Sequence, residues 1–156
     1  MAGRIEKILT EKGIELPQAM SPKVGHIETF VLSGASLYIS GQIPQWNGER
    51  RFIGKAGLDI TLAEVQQAAR RLSALNMLAQ ARLALGDLDR IRRAVKLTGY
   101  VNASPDFHDI TPAVNGASDL LIEVFGEAGR HARTAVGVAV MPFNVVIEVE
   151  GIFEVL

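Results

Sequence analysis

The chain has no cysteine. Disulfides, thiolate metal sites and cysteine nucleophiles are excluded together, and a reducing compartment suits such a composition. Histidine is scarce as well. His26, His108 and His131 lie far apart with no ligand spacing, so no metal site is expected. Aromatics are 6% of the residues, and net charge is only -1. Tyr38, Trp46 and Phe143 are not interleaved with basic residues as a single-stranded nucleic-acid platform requires, and no strongly basic surface is indicated. The local cluster Arg90, Arg92, Arg93 and Lys96 reads as a solvated edge. No apolar run approaches the roughly 20 residues that span a bilayer. The opening Met1-Ala2-Gly3-Arg4-Ile5-Glu6-Lys7 is charged from the start and lacks the apolar centre of a signal peptide. A cytoplasmic protein without membrane contact is the expectation.

What the chain does have is a core. Of 156 residues, 48% are hydrophobic and 21% charged, which fits one folded globular domain spanning 1–156. Residues 1–24 read as an N-terminal helix and connector, and 25–156 as the core. Ile5, Ile8 and Leu9 fall at helical spacing before Gly13. Thr29–Leu32 and Ser36–Ile39 flank Ser33-Gly34-Ala35 as a hairpin, and Asn47-Gly48 marks a turn. The clearest helix is predicted over 61–85. It opens on the capping box Thr61-Leu62-Ala63-Glu64 and ends at Gly86. Val65, Ala68, Ala69, Leu72, Leu75, Leu78, Ala79 and Leu83 form its apolar stripe, with Gln66, Arg70, Arg71 and Gln80 opposite. A strand runs from Ile91 to Val101, in which Val95, Leu97 and Gly99 alternate with Lys96, Thr98 and Tyr100. A second helix runs from about Asp109 or Thr111 to Phe125, burying Val114, Ala117, Leu121 and Val124. A strand on Arg133, a turn at Met141-Pro142-Phe143-Asn144 and a last strand from Val145 to Val155 complete the chain.

This order predicts an α+β fold: a two-layer mixed sheet with two helices on one face, plus an extra N-terminal helix. The helices cover one sheet face only. The last strand sets Val146, Glu148, Glu150, Ile152 and Glu154 against Ile147, Val149, Gly151, Phe153 and Val155. The former mixture suits an oligomer interface, with a plain solvated face as the alternative. The N-terminal helix is free to cover a cleft mouth or an outer sheet edge.

The strand around Arg133 is unusual. Thr134, Val136, Val138 and Val140 lie on one face, and Arg133, Ala135, Gly137 and Ala139 on the other. One cation and then almost no side chain suggests a floor beneath a ligand or a close backbone approach. Arginine also has the shape that suits a carboxylate or phosphate.

Several strings coincide in order with those of one family. They are Ser40-Gly41-Gln42-Ile43-Pro44, Val95-Lys96-Leu97-Thr98-Gly99-Tyr100-Val101, Val114-Asn115, Ala132-Arg133-Thr134-Ala135-Val136 and Val145-Val146-Ile147-Glu148-Val149-Glu150-Gly151-Ile152. The chain resembles the Rid family, also called the YjgF or endoribonuclease L-PSP family of reactive-intermediate deaminases. The resemblance implies a chorismate-mutase-like fold and a homotrimer whose three sheets form a central barrel, with clefts between subunits. It implies hydrolytic deamination of amino-acid-derived enamines or imines to 2-keto acids, with no cofactor. Arg133 matches the arginine that binds the substrate carboxylate, and Glu148 the acidic residue that orients or activates water. Ser40, Gly41, Asn115 and Ala135 match pocket positions. Two departures stand out: Ile27 occupies the place of the usual tyrosine, and Ala135 that of the common cysteine.

Other roles fit the same residues. Arg133 and Glu148 suit a plain structural salt bridge. Glu150 suits either a subunit contact or an acid–base pair with Glu148, and Asn115 suits a local cap. Ser40 has no nearby base in sequence to activate it, so a pocket hydroxyl or backbone role suits it. Gly41 suits a turn, and His131 either a surface position or a pH response beside Arg133. Two alternatives to the deaminase are a non-catalytic trimer that binds small carboxylates, favoured by Ile27, and an endoribonuclease.

Overall fold

A computed structural model describes residues 3–21 and 25–156. Ala2 and Pro22, where the first helix and its connector were expected to extend, lie outside the described residues. The fold is the expected α+β arrangement. Strands β1 (Phe30–Ser33), β2 (Ser36–Gln42), β5 (Ile91–Asn102), β6 (Ala132–Val138) and β7 (Ile147–Val155) form a mixed sheet ordered β1-β2-β7-β5-β6. Only the β5–β6 pair is parallel, and helix α4 (Ile110–Phe125) supplies the crossover that a parallel pair needs. Strands β3 (Gln45–Trp46) and β4 (Glu49–Arg50) make a separate ribbon. It closes through Asn47 and Gly48 at φ of 49° and 89°, the left-handed pair that two-residue hairpins favour.

The predicted helix over 61–85 forms as α2 (Leu62–Ala68), a π turn (Ala69–Ser73) and α3 (Ala74–Leu85). The capping box is made. The Thr61 amide donates to the Glu64 carboxylate at 2.7 Å, and the Glu64 amide donates to Thr61 Oγ1 at 3.3 Å. Two stripe positions differ from expectation. Gln80 is buried and donates to the Met20 carbonyl at 2.6 Å, whereas Leu83 is exposed. The extra residue of the π turn shifts the helical phase of α3, and the N-terminal connector covers the flank that carries Gln80.

Helix α1 (Arg4–Glu11) buries Ile5 and Leu9. Asp89 caps it from across the chain, accepting from the Arg4 and Ile5 amides at 2.5 and 2.7 Å. Glu6 pairs with Arg82 of α3, and Lys12 with Glu123 of α4, each at 3.7 Å. The helix therefore lies outside the helical layer. No helix among the described residues is long and apolar enough to cross a membrane.

The core fills the space between the sheet and the helices. Leu37, Leu97, Val101, Ile147, Val149 and Phe153 of the sheet are buried with Val65, Met77, Leu78, Val114 and Leu121 of the helices. In β5, Ala94 takes the buried place expected for Val95, which is exposed. Irregularities in the β5–β7 pairing at Ile91/Arg93 and Ala94/Lys96 reset the alternation. Among the described residues no helix lies over the other sheet face, which carries Tyr38, Thr98, Tyr100, Glu148, Glu150 and Ile152.

The two faces of β6 lie opposite to the simplest expectation. Thr134 and Val136, on the apolar side, are exposed, while Arg133 and Ala135 turn toward α4. The small side chains make a seat for that helix rather than a ligand floor. A Cβ on Gly99, which pairs with Ala135, would stand 2.6 Å from Val114, and one on Gly137 would stand 3.2 Å from Ile110. Removing those methyl groups from the sheet lets α4 come close enough to engage Arg133.

Candidate functional site

Arg133 sits on β6, an edge strand, and is held by one face of α4. Residues four and three apart on a helix stack along one side, so Thr111, Asn115 and Ser118 present a line of acceptors. Arg133 Nη1 donates to Asn115 Oδ1 at 2.8 Å and to Ser118 Oγ at 3.1 Å, and Nη2 donates to the Thr111 carbonyl at 3.2 Å. A guanidinium carries five N–H donors. Two of them, Nε–H and one on Nη2, are left without a partner among the described residues. Asn115 is therefore no local cap, since its oxygen receives the arginine. Ala135 lies two residues on, half-buried on the same strand face.

A second layer holds the first. His131 Nδ1 lies 2.6 Å from the Gly129 carbonyl, and its Nε2 lies 2.9 Å from Ser118 Oγ. A carbonyl can only accept, so Nδ1 carries a proton, and in the neutral ring Nε2 accepts from the Ser118 hydroxyl. Ser118 thus donates to histidine while accepting from arginine. The sequence pointed to Asn115 and Arg133 but not to Ser118 as a holder of the arginine. The available signal was the three-residue spacing from Asn115.

Glu148 belongs to a different group. It projects from the helix-free sheet face of β7, opposite Tyr100 on β5. Glu148 makes no hydrogen bond or ion pair among the described residues. Its carboxylate lies over Gly41, where an added Cβ would stand 1.9 Å from Oε1. Gly41 therefore provides space for the glutamate rather than turning the chain. It sits with Ser40 in an irregularity of β2 between Ile39 and Gln42, the kind of bulge that re-aims groups beside active sites. Ser40 Oγ donates to the Glu28 carbonyl at 2.6 Å, and no base stands beside it to make a nucleophile. Tyr100 donates to Glu150 at 3.0 Å.

Burial pushes the Glu148 carboxyl above the ordinary carboxylate range, and the like charge of Glu150 adds to it. Burial also raises the Tyr100 hydroxyl, with the bond to Glu150 acting in the same sense. Next to this group, Val31, Tyr38, Ser40, Lys96, Thr98 and Glu150 line a concavity of about 270 Å³ on the open face.

The structure does not bring Arg133 and Glu148 together within one chain. Arg133 pairs across to Leu97, and Leu97 to Gly151, all on the helix side. Glu148 lies three residues along β7 from Gly151 and on the opposite face. A structural Arg133–Glu148 salt bridge within the chain is excluded. The candidate residues form two separate groups: Arg133, Asn115 and Ala135 at the sheet edge, and Ser40, Gly41 and Glu148 on the open face.

The basic cluster is occupied locally. Arg90 donates to the Leu85 and Leu156 carbonyls, Arg92 pairs with Glu154 at 3.2 Å, and Lys96 donates to Thr134 at 2.8 Å. Among the described residues no group of three or more acidic or histidine side chains gathers as a metal site.

A family model described as "YjgF/chorismate mutase-like, putative endoribonuclease" matches residues 6–155. Protein TCP17 of Trypanosoma cruzi is 45% identical over 154 residues, which cover 98% of this chain and 95% of that protein. The crystal structure of Atu1372 from Agrobacterium tumefaciens superposes with a TM-score of 0.89 at 44% identity, covering 97% of this chain and 93% of that one. The structure of E. coli TdcF with bound serine is similar at a TM-score of 0.58 and 27% identity, covering 89% and 92% of the two chains.

Proposed function

We propose that this chain, which belongs to the YjgF/chorismate-mutase-like family, hydrolyses small imines derived from amino acids, releasing a 2-keto acid and ammonia. The observation that carries this reading is the state of Arg133. Three of its donors are fixed on α4 and two are left, and a carboxylate takes two parallel N–H groups. TdcF holds serine, an amino acid with such a carboxylate.

The two groups join as half-sites between protomers of a homotrimer, Arg133 of one facing Glu148 of the next. Their placement on opposite sheet faces of one chain supports this, as does the uncovered face. In the cleft, Glu148 takes a proton from water as its oxygen adds to the imine carbon, and the C=N double bond becomes single. The glutamic acid then returns the proton to nitrogen, giving a carbinolamine; Glu148 next takes the hydroxyl proton and passes it to the amine, and the C–N bond breaks to release ammonia as the C=O bond forms. A carboxyl raised by burial holds a proton more readily than an ordinary carboxylate, which suits it to taking up and returning one. The imine is already electrophilic, so the chemistry needs no metal or organic cofactor.

The test generates 2-iminopropanoate enzymatically and tracks keto-acid release. Acceleration over buffer is expected, and Arg133→Ala is expected to lower kcat/KM by about a hundredfold or more, the scale of a lost bidentate charged pair. Folded protein that gives no acceleration refutes the reading. A second reading rests on Ile27, which is exposed and offers no hydroxyl where a tyrosine was expected. Calorimetric binding of a 2-keto acid without turnover would favour a non-catalytic carboxylate-binding trimer.

A further inference from the structure

We infer that a groove on the outer side of the helical layer is a second binding site, for a small amphipathic carboxylate with an aromatic or branched apolar body. The groove holds about 500 Å³, within the usual range for small-molecule sites. It lies where the C-terminal end of α1 and the β3–β4 ribbon meet the π turn and α4. Both proposed half-sites are elsewhere, and the inference does not depend on them.

The floor is apolar. Leu72, Leu75 and Leu120 form it, and Trp46 supplies an aromatic wall. The rim is cationic, because Arg51, Arg70 and Arg71 line the groove against one acid, Glu15. Arg51 pairs with Glu49, and Arg70 with Glu123. Arg71 is exposed and has no acidic partner among the described residues. Positive charge beside an apolar pocket is complementary to an anion with an apolar body, and a guanidinium takes a carboxylate in two parallel bonds.

The walls are built rather than incidental. Asn76 Nδ2 donates to the Gln45 carbonyl at 2.6 Å, and the Gln18 amide donates to Asn47 Oδ1 at 2.8 Å. These bonds fix the ribbon that carries Trp46 to both α3 and the connector. Arg70, Arg71 and Leu72 are consecutive yet all line the groove, whereas a regular helix turns about 100° per residue and spreads such neighbours. They lie in the π turn, a rare widening that often marks functional sites.

Trp46 is the single tryptophan of the chain, so all tryptophan emission comes from this wall of the groove. The probe is phenylbutyrate, with neutral phenylbutanol as the matched control, added to the intact protein. A saturable change in Trp46 emission is expected with the carboxylate and a much weaker one with the alcohol. Arg71→Glu, an exposed substitution whose fold is checked by its thermal melt, is expected to weaken binding about tenfold or more. Arg133→Ala is expected to leave it unchanged, which separates this site from the proposed cleft. No saturable change, equal binding of the alcohol, or undiminished binding to a folded Arg71→Glu variant each overturns the inference. Loss in Arg133→Ala would reassign the signal to the cleft and overturn it as well.

Discussion

Gly41→Ala is expected to separate stability from the proposed activity. The substitution adds one methyl group at a position whose φ is not in the left-handed region, so the backbone accepts it. That methyl would stand 1.9 Å from Glu148 Oε1, 2.7 Å from Cδ and 3.0 Å from Cγ. An ordinary contact begins near 3.4 Å, so the oxygen must retreat by about 1.5 Å, more than the 1 Å misplacement that typically costs about a hundredfold in rate. The obstacle is the far end of a flexible side chain, and swinging it aside costs about 0.5–1.5 kcal/mol of rotamer strain. The expected variant melts within a few degrees of the parent yet loses about a hundredfold in kcat. KM changes little, because Arg133 is untouched. Iminopropanoate hydrolysis and a thermal melt on the same preparation check both halves. Parental turnover in Gly41→Ala would mean that the position of Glu148 does not matter to the reaction. A collapse in stability would mean that the glutamate cannot move, and the geometry described at Gly41 would be wrong.

The same contacts set three further outcomes. Ser118→Ala removes the hydroxyl between His131 and Arg133, and loss of one bond of about 1 kcal/mol is expected to raise KM about three- to tenfold with kcat nearly unchanged. Steady-state kinetics read that split, and an equal fall in kcat would argue against a purely positioning role. The Glu148 carboxyl is raised in the folded state by burial and by Glu150. Its contribution to stability is therefore fully present at acidic pH and is lost as pH rises through its folded value. Glu148→Gln is accordingly expected to melt higher than the parent above neutrality, with the gap closing toward pH 4, as a series of melts across pH would record. Asn102→Ala should be among the costliest changes. The Asn102 amide donates to the Gly54 and Val145 carbonyls, both at 3.2 Å, and its oxygen accepts from Lys55 at 2.7 Å. A loss of about 2–4 kcal/mol is expected in chemical unfolding, and a loss below 1 kcal/mol would show that water replaces those bonds.

The parts of the fold visible in the sequence were those governed by local rules. Thr61, Glu64 and Gly86 bounded the long helix because capping and left-handed termination are encoded within a few residues. The alternation of β7 assigned its two faces for the same reason. What escaped depended on residues far apart in sequence. The π turn displaced Leu83 and Gln80 from their expected sides, and no short motif announces one. The β6 alternation was legible, but its inward side was not: Gly99 and Val114, on other elements, decide that the small residues face α4. At the candidate site, Arg133 and Asn115 were each legible as pocket positions from the family strings, whereas their bond to one another and the separation of Arg133 from Glu148 required the fold. Sequence spacing does not reveal that β5 stands between their strands or that they point to opposite sides.

The bond from Asp89 to the start of α1 has a consequence for how the chain is made. The helix is synthesised early, but the carboxylate that caps it lies 85 residues downstream. At translation rates of about 5–20 residues per second, the cap arrives some 4–17 s after the helix it completes. Until then α1 is eight residues long, too short to persist alone in water, and Ile5 and Leu9 have no core to enter. Although α1 is synthesised before the other described helices, it is thus among the later ones to settle. A pause in translation between residues 11 and 89 would lengthen the interval in which its apolar face is open to chaperones.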